Sequence, residues 1–133
     1  MKMQTIEDAI HTFVYKQDDQ TVIGVFEAIR MSMNEGKSFY IPVQYLNEEK
    51  TEFSLGKIKD GKGQEMVVVF SNEEGCKKME EAEVLEESIQ SFLTRIMEMP
   101  DIAGLLINPI GEGFVLGKKY IQMIFDANQK LQA

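Results

Sequence analysis

The chain has one cysteine and one histidine among 133 residues, and both scarcities exclude chemistry. A lone Cys76 forms no internal disulfide, which suits a reducing compartment. A lone His11 leaves zinc with at most one imidazole, and any Ser-His-Asp or Cys-His arrangement would have to use it. No run of five Lys or Arg occurs, and the formal charge is −8. That balance argues against nucleic-acid binding, which needs a basic stripe to release phosphate counterions. No apolar stretch approaches the roughly 20 residues that span a bilayer. The first residues, Met1 to Asp8, lack the apolar core of a signal peptide and carry acids early. The expectation is a cytoplasmic protein with no membrane and no nucleic-acid partner.

What is present is enough for one folded domain over residues 1–133, with 44% hydrophobic and 27% charged residues. Ile6, Ala9, Ile10, Phe13 and Val14 share one helical face behind Thr5 as N-cap. Val22, Val25, Phe26, Ile29 and Met33 form a second stripe that stops near Gly36. An N-terminal helical pair is expected.

The period then changes. Phe39, Ile41, Val43 and Tyr45 alternate as a strand, and Pro42 implies an edge position or a local interruption. A second strand begins at Phe53, and Asp60-Gly61-Lys62-Gly63 signals a hairpin into Met66–Phe70. That third run is apolar throughout, as in a strand covered on both faces. Ser71 with Glu74 reads as a capping box for a short helix. The acidic stretch from Glu80 to Glu87 reads as an extended crossing segment. A helix with Ile89, Phe92, Leu93 and Ile96 follows, then strands at Ala103–Ile107 and Phe114–Leu116, and a last helix bearing Tyr120, Ile121, Ile124, Phe125 and Leu131. The predicted fold is α+β: a mixed sheet of about five strands, three in a meander plus two later ones, flanked by helices.

The order Phe39-Tyr40-Ile41-Pro42-Val43, then Val69-Phe70-Ser71 before Asn72-Glu73-Glu74, then Gly104 to Gly111 with Phe114-Val115-Leu116 following, resembles the SseB-like family. The resemblance covers roughly residues 19 to 131. It implies a bacterial α+β domain without established catalytic residues; the family is named for an enhanced serine sensitivity phenotype. A secretion-translocon component shares the name and is a different protein. Family members often carry Thr where Ser71 stands, which keeps the cap chemistry.

The chemistry-bearing residues read modestly. His11 lies beside the apolar stripe of its helix. Cys76 sits early in a helix, but Glu73, Glu74 and Glu80 would raise its pKa. Glu73, Glu74, Glu80, Glu81, Glu83, Glu86 and Glu87 lack the ligand spacing and central glycine of a calcium loop. They read as a solvated face or an acidic surface for a protein partner. Neither glycine-rich turn has a phosphate-loop pattern. No catalytic, cofactor-binding or metal-ligating residue is assigned, so no enzyme is expected, although an enzyme running on carboxylates stays open.

Asn108-Pro109 is the most informative polar pair. It is either a strand terminator or, if the 66–70 and 103–107 strands are parallel neighbours, part of a rim at their carboxyl ends, where ligands bind in open α/β sheets. The candidate rim is Ser71, Asn72, Glu74, Asn108 and Pro109. Two functions follow: a non-enzymatic accessory or interaction domain, or a domain binding a small, amino-acid-like molecule at that rim. Oligomeric state is not legible.

Overall fold

A computed structural model describes residues 5–79 and 82–132. The elements are α1 (Ile6–Lys16), α2 (Asp19–Asn34), β1 (Ser38–Tyr45), β2 (Phe53–Leu55), β3 (Lys57–Lys59), β4 (Glu65–Val69), α3 (Glu73–Lys77), β5 (Glu83–Ser88), α4 (Ile89–Met97), β6 (Ile102–Ile107), β7 (Phe114–Gly117) and α5 (Lys118–Gln132). The class is α+β and the chain opens with the helical pair. Thr5 caps α1 by accepting from the Asp8 amide. Asp18 and Thr21 close a reciprocal box on α2, and Gly36, at φ 75°, ends it.

The strand count differs from five. There are two sheets, ordered β2-β1-β5 and β3-β4-β6-β7. One addition is β5, paired antiparallel with β1 from Ser38–Ser88 to Val43–Glu83. The other comes from a break in the second predicted strand at Gly56. Its N–H donates to the Pro42 carbonyl, but Pro42 has no N–H to return, so the Gly56 carbonyl accepts from Val68 of β4 instead. The chain thus turns from β1 to β4 at one residue. The edge expectation for Pro42 is wrong, because β1 is central; the interruption expectation holds. Tyr40 and Phe70 bridge the two sheets just beyond.

β4 and β6 are parallel and central in the second sheet, with Val69 opposite Ile107. Side chains of β4 alternate between two apolar clusters. Val67 and Val69 join the main core with α1, α2, α4 and α5 residues. Val68 and Phe70 pack with Cys76 of α3 on the opposite face. Burial on both faces is why the run 66–70 has no polar interruption. Leu131's predicted place on the α5 face lies outside the residues whose side chains are described.

A second correction concerns α3. Its N-cap is Asn72, whose Oδ1 accepts from the Gly75 amide at 2.7 Å. Ser71 stands one residue too early, held by the end of β6 rather than by the helix. No helix among the described residues is long and apolar enough to cross a membrane.

Candidate functional site

Parallel pairing brings the carboxyl ends of β4 and β6 to one edge, and Asn108 joins them. Its N–H donates to the Val69 carbonyl at 2.9 Å, extending the ladder by a residue. Its φ of 55° is left-handed, a conformation asparagine tolerates better than most residues. That turn aims the amide at β4's continuation. Oδ1 accepts from the Ser71 N–H at 2.9 Å, and Nδ2 donates to Ser71 Oγ at 2.8 Å. Both ends of the Asn108 amide are therefore committed to a bond between neighbouring chain segments.

A cleft of about 320 Å³ opens beside this clamp. Asn72, Glu74 and Asn108 line it, as the sequence suggested, together with Glu7, Lys78 and Glu112. Ser71 faces a separate cleft of about 180 Å³, with Thr5, Glu7 and Ser32. Pro109 lines neither. Glu7 comes from α1 and accepts from Asn72 Nδ2 at 3.0 Å. Burial pushes its carboxyl up, but hydrogen bonds from Asn72, its own backbone amide, Ser71 and Thr5 outweigh that and hold it below the ordinary value. At the rim, His11 Nδ1 lies 2.7 Å from Glu112 Oε1, both side chains exposed.

Other chemistry is muted. Cys76 is buried, and burial with the nearby Glu73 carboxylate pushes its thiol up to about 11. The acids from 73 to 87 do not share one face. Along β5, Leu85 belongs to the main core and Val84 to the α3-side cluster. Glu83 pairs with Lys50 at 3.2 Å, and Glu87 with Arg95 at 2.9 Å. Glu80 and Glu81 lie outside the described residues. Among the described residues no group of three His, Cys, Asp or Glu side chains is arranged to hold a metal ion.

A different surface is legible in the sequence only in part: Phe26 and Tyr120 lie on the predicted stripes of the second and last helices, but their meeting with Ile23 and Met123 is not foreseen there. On α2 and α5, Ile23 is 55% exposed, Met123 48% and Tyr120 42%. Tyr120 stacks on Phe26 with ring centroids 5.2 Å apart. Ile23, Phe26 and Met123 line a cleft of about 160 Å³ between the helices, bordered by Arg30, which Glu27 holds at 2.6 Å. The stripe on α2 was visible, but Ile23 falls outside it, and nothing local tells which α5 residue it meets. No family model matches the chain, and no curated protein or solved structure matches it.

Proposed function

We propose that this chain is a non-enzymatic accessory domain of the bacterial cytoplasm that binds another protein; the resemblance to the SseB-like family implies a bacterial α+β domain without established catalytic residues and names no partner. The observation that carries this reading is the apolar patch of Ile23, Phe26, Tyr120 and Met123. Exposed apolar residues scattered singly are ordinary, whereas several around one cleft are typical of an interface. An aromatic pair beside a shallow pocket is the kind of anchor that dominates binding energy. The net charge of −8 favours a basic rim on the partner. Affinity capture with the wild-type chain and an Ile23→Asp/Met123→Asp variant tests it. The expected result is a stoichiometric partner lost from the variant while its melting temperature is unchanged. Equal capture by both chains would remove the patch from the account.

A second reading, a small amino-acid-like ligand, has its own observation. Glu7, Glu74 and Lys78 are among the residues lining the strand-end cleft, so it carries side chains of both signs, as a zwitterion would need. A thermal-shift screen of amino acids, serine included, tests it. A ligand at 100 times its dissociation constant adds about 2.7 kcal/mol. A flat screen leaves the first reading alone.

A further inference from the structure

β2 ends its sheet, with β1 on one side and no strand on the other among the described residues. Edge strands present unpaired N–H and C=O groups, and natural edges are commonly guarded by charge or proline. β3 carries Lys57 and Lys59; β2 is Phe53-Ser54-Leu55, three residues long, and its shortness is its one guard, with no charged side chain or proline on it. The β1–β2 ladder is bracketed by the Leu46 N–H to Glu52 carbonyl bond and the Gly56 N–H to Pro42 carbonyl bond. Antiparallel bonding alternates, so Ser54 faces β1 and the backbone groups of Phe53 and Leu55 face outward.

A cleft flanks this edge on each face of the sheet. On the α3 side, about 620 Å³ is lined by Pro42, Gln44, Ser54, Lys78 and Met79. On the α4 side, about 550 Å³ is lined by Phe53, Leu55, Lys57, Arg95 and Met99. Successive side chains of a strand point to opposite faces. A strand laid along β2 would therefore send alternate side chains into the two clefts.

We propose that the β2 edge docks an extended peptide segment of a partner protein with an apolar-acidic-apolar core. Main-chain bonds to Phe53 and Leu55 hold the segment, and the clefts select its side chains. The residue opposite Ser54 faces the α3 side. There Lys78 has no ion pair among the described residues, and in a chain of charge −8 it is a cation left for an acidic side chain. The two residues opposite Phe53 and Leu55 face the α4 side, where Phe53, Leu55 and Met99 are apolar and Glu87 already engages Arg95. This site is separate from the α2–α5 patch and stands without it.

The test uses the full chain and fluorescein-labelled peptides with a Leu-Glu-Leu core, a Leu-Lys-Leu core, or a Leu-Glu-Leu core N-methylated on its backbone. Fluorescence polarisation gives affinity, and amide chemical shifts give the place. The expected result is binding of Leu-Glu-Leu, with shifts at Phe53 and Leu55 and loss of binding on N-methylation. Lys78→Glu, a surface change that spares the fold, should weaken Leu-Glu-Leu roughly fivefold, as one exposed ion pair contributes, and strengthen Leu-Lys-Leu. Equal affinity for the two cores overturns the proposed chemistry. Shifts centred on Ile23 and Met123 would assign the peptide to the other patch and overturn the proposed place. Concentration-dependent dimers with the same β2 shifts would make the occupant a second copy and also overturn the proposal.

Discussion

Replacing Asn108 by alanine should destabilise the protein by about 2 to 3 kcal/mol, and two companion substitutions separate the causes. The first cause is conformational: alanine at φ 55° sits in the left-handed region, at about 1 kcal/mol. The second is the bond from Ser71, whose half-buried N–H loses its acceptor at about 1 to 2 kcal/mol. Asn108→Gly removes the bonds but accepts the positive φ, so it should recover about 1 kcal/mol of the alanine loss. Asn108→Asp keeps an oxygen for the Ser71 N–H but loses the Nδ2 donor to Ser71 Oγ, whose one proton already serves Glu7, so it should cost about 1 kcal/mol, less than alanine. Urea unfolding at neutral pH with an unchanged m-value reads these differences. Alanine equal to wild type, or glycine worse than alanine, would refute the reasoning. Stability unchanged with ligand binding lost would return Asn108 to the status of a site residue.

Four further outcomes follow from the packing and electrostatics. Gly104→Ala would place a Cβ 2.3 Å from the Leu116 carbonyl oxygen and 2.8 Å from the Gly117 Cα; both are backbone atoms of β7, so a loss of roughly 3 kcal/mol or failure to fold is expected in thermal melts. Asn72→Ala should cost about 1 kcal/mol through the α3 cap, and it should also raise the Glu7 carboxyl, visible by NMR titration. The folded Glu7 carboxyl is lowered, so its stabilisation is present at neutral pH and lost as acid protonates it; Glu7→Gln should flatten that part of the stability profile. The Cys76 thiol is raised in the folded state, so its contribution is present below the ordinary thiol range and falls as pH rises toward about 11. Aromatic disulfide reagents at about pH 8, just below the ordinary thiol range, should label it slowly when folded and rapidly in denaturant, and equal rates would contradict its burial.

The elements legible in the sequence were those with uninterrupted local signals. Burial on both faces left the 66–70 run without a polar residue, and α2 has Asp18 before it and Gly36 after it. The elements that were missed depend on distant partners. β5 shows two adjacent apolar residues, Val84 and Leu85, instead of an alternation, because each faces a different cluster. The break at Gly56 is dictated by the N–H that Pro42 lacks on another strand. Ser71 and Asn72 are both good caps, and a tertiary bond from Asn108 decides between them by taking Ser71. Of the candidate rim, Asn72, Glu74 and Asn108 do share a cleft, because the parallel pairing puts both strand ends together. Glu7 and Glu112 reach it from α1 and from the β6–β7 turn, placements that no local pattern encodes.

The most direct measurement is quantitative affinity capture from a native lysate, comparing the wild-type chain with Ile23→Asp/Met123→Asp across several salt concentrations. The interaction account predicts one protein recovered in stoichiometric amount by the wild type and depleted from the variant, with both chains melting at the same temperature. No stoichiometric partner at any salt concentration, or the same partner held equally by the variant, would contradict it.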